Sequence, residues 1–194
     1  MHKGRRAAAA AAVLVAVGSA GLVAPAASAV GATTAGSGAA TCPTGWGSQP
    51  KQGSDQTAKP HSLTGIRTGR HDCYDRMVFD VGGGTDALNY HVEYVDTFRQ
   101  DPSGTVIPVS GGAILDIHVG ASAYDPETGR ATYPGRPGKA LPGVDLTGYR
   151  TFRDTKFGSS FEGVTQVGLG VRARLPFRVQ RLSDRLVVDV AHTW

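Results

Sequence analysis

The longest regular pattern in the chain has a period of two. From Val167 onward every second residue is apolar: Val167, Leu169, Val171, Ala173, Leu175, Phe177 and Val179. Between them lie Gln166, Gly168, Gly170, Arg172, Arg174, Pro176 and Arg178. Successive side chains of an extended chain point to opposite faces, so this alternation predicts β structure with one buried face. Pro176 has no N–H to give to a ladder, so it marks a sheet edge, a bulge or the corner between two strands.

Shorter segments follow the same rule. Met77, Phe79 and Val81 alternate with Arg76, Val78 and Asp80. Tyr90, Val92 and Tyr94 share one side, with His91 and Glu93 opposite. Ala113, Leu115, Ile117 and Val119 alternate with Ile114, Asp116 and His118. Turn-forming runs separate them: Gly82-Gly83-Gly84, Asp101-Pro102-Ser103-Gly104, Gly111-Gly112 and Asp125-Pro126-Glu127-Thr128-Gly129. Tyr133 to Gly143, rich in proline and glycine, reads as one irregular loop. No long helical period is present. The expected fold is an all-β sandwich of short, mostly antiparallel strands with little helix. One segment also echoes another: Asp75-Arg76-Met77-Val78-Phe79-Asp80-Val81 returns as Asp184-Arg185-Leu186-Val187-Val188-Asp189-Val190. The echo predicts two equivalent strands in facing or adjacent sheet positions, although strands of similar burial also converge on similar residues.

The amino-terminal region differs. Lys3, Arg5 and Arg6 precede an uncharged run from Ala7 to Val23, followed by Ala27-Ser28-Ala29. A basic n-region, an apolar stretch and a small-x-small site predict a signal peptide over 1–29, cut before Val30. A membrane anchor is the competing reading, but the run is short and built mainly of Ala and Gly. Residues 30–60, rich in Gly, Ala, Ser, Thr and Pro, read as a flexible linker with an ordered island near Cys42–Trp46, leaving 61–194 as the folded domain. Cleavage also alters the charge. The +4 of the whole chain falls when Lys3, Arg5 and Arg6 leave, with 17 basic against 16 acidic residues remaining. That balance gives no basis for nucleic-acid binding. Cys42 and Cys73, an even pair in an exported chain, predict one disulfide, with metal or catalytic thiols as the rival reading.

On these residues the chain resembles the AMIN-like domain of secreted proteins and lipoproteins of actinobacteria. The likeness is carried by Cys42 with Trp46-Gly47-Ser48, by His71-Asp72-Cys73-Tyr74-Asp75-Arg76-Met77-Val78-Phe79-Asp80, and by Tyr90-His91-Val92-Glu93-Tyr94-Val95. It continues through Phe161-Glu162-Gly163, Gly168-Leu169-Gly170-Val171-Arg172 and Leu175-Pro176-Phe177-Arg178-Val179. It spans about 42–194. The related AMIN domain is a β-sandwich that targets envelope proteins to peptidoglycan. The resemblance therefore implies binding of peptidoglycan or an anionic wall polymer, with an adaptor for another envelope protein as the alternative. No lipobox cysteine is present, so the resemblance is to the freely secreted form, with no stable membrane anchor after cleavage.

Catalytic patterns are missing from the sequence. His61, His71, His91, His118 and His192 fall in no metal-binding spacing. Gly158-Ser159-Ser160-Phe161-Glu162-Gly163 is not a nucleophile elbow, and Gly82-Gly83-Gly84-Thr85 lacks the Lys-Ser/Thr of a phosphate loop. Asp184 and Asp189 are explained by turns and solvation. The expectation is no enzyme, no metal and no cofactor, with a hydrolase of unfamiliar site ranked last. What remains is a candidate binding face. Arg172, Arg174 and Arg178 share one side of the predicted strand, Arg172 and Arg174 about 7 Å apart, beside bare Gly168 and Gly170. Guanidinium groups suit carboxylates and phosphates. Tyr90, Tyr94 and Phe161 are candidates for stacking on sugar rings. The plainer reading pairs these arginines with Glu93, Asp80 or Asp189 and puts the aromatics in the core.

Overall fold

The computed structural model describes residues 41–57 and 59–194; the expected signal peptide over 1–29, and 30–40 of the expected linker, lie outside the described residues. Nine strands form: β1 (Lys51–Gly53), β2 (Ser62–Arg70), β3 (Tyr74–Gly82), β4 (Tyr90–Val95), β5 (Ala113–Val119), β6 (Phe152–Phe161), β7 (Val164–Val171), β8 (Phe177–Leu182) and β9 (Arg185–Ala191). They make two antiparallel sheets, one ordered β1-β4-β5-β7-β6 and the other β2-β3-β9-β8. No helix occurs among the described residues. The all-β expectation holds.

The alternating apolar residues explain why the sheets meet. Val92, Leu115, Ile117, Val167 and Leu169 from the larger sheet share one buried cluster with Met77, Phe79, Leu186, Val188 and Phe177 from the smaller. The apolar face of each sheet is removed from water only against the other, which is the driving force for a two-layer sandwich. The long loop between β5 and β6 is irregular, as expected, but it also supplies core: Tyr133 and Leu141 are buried in the same cluster.

The run 167–179 is two strands instead of one. β7 ends at Val171 in the larger sheet, the chain turns through 172–176, and β8 begins at Phe177 in the smaller sheet. Both sheets turn their apolar side toward the common core, so the alternation survives the corner unbroken. Pro176 lies in that corner. Its carbonyl accepts a hydrogen bond from the Ala191 N–H at 2.9 Å.

The echo resolves into a direct pairing. β3 and β9 are antiparallel neighbours, with Val78 opposite Val187, Arg76 opposite Asp189 and Asp80 opposite Arg185. When two copies of an Asp-Arg-x-x-x-Asp pattern run antiparallel in this register, arginine falls opposite aspartate. The repeat therefore encodes complementary cross-strand charges.

Gly168 and Gly170 also have an internal explanation. A methyl at Gly168 would stand 2.9 Å from the Phe98 ring, and at Gly170 it would strike the Ser110 carbonyl. The loop between β4 and β5 crosses the outer face of the larger sheet here, and buried Phe98 packs against Gly168. The close approach that the two glycines permit is made by the chain itself, not by a ligand.

Candidate binding surface

Cys42 and Cys73 form the expected disulfide, with a Cα–Cα distance of 5.3 Å. Cys73 immediately precedes β3, so the cystine fastens the amino-terminal island to the smaller sheet. The Phe177 N–H, first in β8, donates to the Gly47 carbonyl at 2.9 Å. These two ties place Trp46 on the outer face of that sheet. Its ring centroid lies 5.5 Å from that of Tyr74, and the Arg178 guanidinium stands 4.4 Å from the Trp46 centroid.

Arg178 is held in place from below. Asp189 is fully buried and accepts from Arg178 Nε at 2.8 Å, Arg76 Nε at 2.6 Å and Arg76 Nη2 at 2.9 Å. A carboxylate removed from water is costly unless its charge and lone pairs are answered, and two guanidiniums answer both. Asp189 thereby fixes a stack of Trp46, Arg178, Tyr74 and Arg76 across three strands and the island, strengthened by cation–π attraction.

Beside this stack is a cleft of about 360 Å³, bordered by Trp46, Trp194, Pro43, Pro176 and the disulfide. Trp194 is 77% exposed, and its indole N–H donates to the Arg174 carbonyl at 3.2 Å. Two tryptophans, one half-buried and one exposed, thus border a single hollow on a disulfide-braced frame.

The residues chosen from the sequence are dispersed. Arg172 follows β7 and donates through Nη2 to the His192 carbonyl at 2.5 Å. Arg174, in the corner, stands 5.2 Å from the Tyr94 ring centroid. Arg178 lies in β8 and pairs with Asp189, as the plainer reading held. The three do not share a face of one strand, because the corner at 172–176 sends Arg178 to the other sheet. Tyr94 is half-buried; its hydroxyl donates to the Leu175 carbonyl at 2.8 Å, and burial raises its pKa to about 12. Tyr90 packs against Arg181, 5.1 Å from its guanidinium. Phe161, 45% exposed, lies at the far tip of the β6–β7 hairpin. Trp194 was missed in the sequence. Its signal was a tryptophan outside every alternating segment, which no core position required.

Two polar clusters complete the chemistry. Asp75, fully buried, accepts from the Thr151 and Phe152 N–H groups at 2.5 and 3.1 Å and faces His192 Nε2 at 3.1 Å. His192 Nδ1 faces the Asp72 carbonyl at 3.1 Å. Acceptors stand at both ring nitrogens, so both contacts are hydrogen bonds only when each nitrogen carries a hydrogen. The imidazole is committed to joining the start of β3 to the end of β9. Among the described residues, no set of three or more His, Cys, Asp or Glu side chains is arranged to hold a metal ion.

The second cluster lies on the outer face of the larger sheet. His118 Nε2 is 3.0 Å from Asp101 Oδ2 and 3.7 Å from Asp116 Oδ1, and Gln166 Nε2 donates to both Asp116 oxygens at 3.2 Å. Burial pushes Asp116 up from 3.8 to about 6; His118 and Gln166 pull it down, while Asp101 and Glu93 add to the rise. Only well below the ordinary value of 3.8 is the carboxyl protonated in folded and unfolded chains alike. As the pH climbs toward 6 the unfolded chain ionises first, so this group lowers stability, fully so above that point. Asp116→Asn should therefore raise the unfolding midpoint at pH 7, worth about 1–3 kcal/mol, and change it far less near pH 3.5. Urea titrations at the two pH values check this; equal midpoints at pH 7 would mean that the ionised form is fully compensated.

No curated protein and no solved structure matches the chain. The family model of the AMIN-like domain matches residues 61–192, which takes in β2 through β9, and the chain belongs to that family.

Proposed function

We propose that this protein is an exported, non-catalytic binding module that holds a cell-wall glycan in the cleft between Trp46 and Trp194. The AMIN-like domain suggests a cell-envelope, peptidoglycan-associated role, and together with the disulfide it suggests an extracellular or envelope location. Among the described residues no helix is long and apolar enough to cross a membrane. The carrying observation is the pair of tryptophans on one rigid hollow. A sugar ring offers C–H groups to an aromatic face and hydroxyls to its surroundings, and an indole supplies a broad surface with only two rotatable bonds to freeze. The arginines support these faces: Arg178 braces Trp46 and the Arg174 carbonyl orients Trp194.

Sedimentation with purified, insoluble cell wall tests this. Trp194→Ala should weaken binding about tenfold, the size expected for losing one aromatic stack of roughly 1.4 kcal/mol. Because stacking is only weakly screened, the loss should persist at high salt. Wild-type and Trp194→Ala protein sedimenting equally would overturn the assignment of this cleft. The adaptor reading has one observation in its favour: exposed Phe161 and Val164 meet at the tip of the β6–β7 hairpin. It moves ahead if the wild-type protein does not sediment at all.

A further inference from the structure

A second cleft, of about 490 Å³, opens beside the first, where β3 starts and β9 ends. The pairing of the His192 N–H with the Cys73 carbonyl lies between them: Cys73, Ala191 and Thr193 border the tryptophan cleft, whereas Asp72 and His192 border the second. Asp75 and His192 are already joined to each other in its floor. Above them stand Arg70, His71, Arg150 and Gly148.

Two segments cross the cleft toward each other. From the end of β2, Arg70 lies against Gly148, where a methyl would stand 2.8 Å from its Nη1. From the loop before β6, Arg150 Nη1 reaches back toward the Asp72 carbonyl at 3.4 Å. Neither guanidinium has a carboxylate partner among the described residues, in contrast to Arg67, Arg76, Arg178 and Arg185, each of which has one. The neighbouring Arg153 and Arg172 likewise donate only to backbone carbonyls. Two arginines thus line this cleft without a carboxylate partner among the described residues, and two more, on the segments beside it, donate only to backbone. The opposing groups are Asp72, exposed at the rim, and Asp75, whose charge already faces His192 and two backbone N–H groups.

We propose that this cleft binds a phosphate group, through Arg70 and Arg150 with His71 as a third donor. Donors arriving from separate segments suit a tetrahedral oxyanion, which accepts in several directions, better than a planar carboxylate, which accepts in one plane. The phosphate belongs either to a phosphodiester polymer of the wall or to a small free phosphate ester. The site does not depend on the glycan reading, although a polymer carrying sugars and phosphates would fit both clefts at once.

The test is an NMR titration of the folded protein with inorganic phosphate at low salt, with acetate as the planar control. Phosphate should move the amide signals of Arg70, His71, Gly148 and Arg150 saturably, and acetate should move them at least several-fold less. Arg70→Gln with Arg150→Gln should weaken the response at least tenfold while the unfolding midpoint stays in place, since both side chains are exposed. Asp72→Asn should tighten binding a few-fold by removing the one opposing exposed charge, an effect that a merely structural arginine pair would not show. Tighter binding of poly(glycerol phosphate) per phosphate than of inorganic phosphate assigns the site to a polymer, and equal binding assigns it to a small ester. Trp194→Ala should leave the phosphate response intact, so failure of the glycan reading and failure of this one remain separable. Absence of saturable shifts, or the same shifts in the double Gln variant, overturns the proposal.

Discussion

Replacing Cys73 by Ser should lower the stability of the domain by about 3–4 kcal/mol, the chain-entropy value for a cross-link that closes a loop of this length. The two cysteines are 31 residues apart. Reduction of the wild-type protein should have the same effect. The loss should exceed that of removing any single contact of the island, because the cystine holds a segment with little else to anchor it. Without it, Trp46 keeps only the Arg178 and Tyr74 stack, and the island keeps the hydrogen bond from Phe177 N–H to Gly47 and the short β1–β4 pairing. Urea unfolding of oxidised and reduced protein, followed by tryptophan fluorescence, reads both consequences. The midpoint should fall, and the emission of Trp46 should shift to the red even before the transition as the indole leaves the sheet. A loss under about 1 kcal/mol would mean that stacking alone holds the island and that the cystine adds little. The same variant should also lose affinity for wall material, since one wall of the tryptophan cleft goes with it.

Asp75→Ala should cost about 3–5 kcal/mol, the range for removing one member of a buried, hydrogen-bonded charged group. Three buried donors lose their acceptor together: the Thr151 and Phe152 N–H groups and the His192 imidazole. Buried donors left unpaired carry their full desolvation penalty. Asp75→Asn should cost far less, about 1 kcal/mol. Its carbonyl can still accept from both backbone N–H groups, and its NH2 can donate to Nε2 of a neutral His192 whose Nδ1–H serves the Asp72 carbonyl. The contrast between the two variants, measured by denaturant midpoints at constant pH, separates hydrogen-bond satisfaction from charge. If Asn proved as damaging as Ala, the charge of the carboxylate itself would be the stabilising feature. Asp189→Ala is expected to cost less than Asp75→Ala although its carboxylate is equally buried. Its partners Arg76 and Arg178 are 24% and 30% exposed and can turn to water, whereas the donors at Asp75 cannot.

The strands most easily found in the sequence were those with an unbroken register. β3, β4, β5 and β9 carry no extra residue of their own, so alternate residues reach the core at every step and the period of two is visible. β2 and β6 escaped notice because bulges break the period. The shift between Leu63 and Gly65 puts the buried Leu63 and Ile66 three residues apart, and β6 carries two such shifts, after Phe152 and after Phe157. An extra residue rotates every following side chain to the other face, so the linear pattern no longer adds up. β1 lay in the stretch read as linker. It has three residues, and its place at the sheet edge follows from pairing with β4, not from its own composition.

By itself the sequence pointed to the all-β class, the cystine, the likeness of the 75–81 and 184–190 segments, and the family; that the two segments pair with arginine against aspartate came from the register of β3 on β9. Each of those four depends on residue types at short or repeated spacing, where local chemistry suffices. The tertiary structure alone decided where the surface chemistry lies. An apolar alternation reports only which side faces the core, so it reads identically along one strand and around a corner between two sheets; this is why Arg172, Arg174 and Arg178 looked like neighbours on one face. Gly168 and Gly170 announced a close approach without naming what approaches, and it is Phe98 and Ser110 of the same chain. The tryptophan cleft joins Trp46 and Trp194, from the two ends of the folded unit, because β3 and β9 are neighbours at the centre of one sheet; the second cleft joins Arg70 of β2 with Arg150 from the loop before β6 of the other sheet. Such proximity is a property of strand order, and strand order is settled by burying two apolar faces at once.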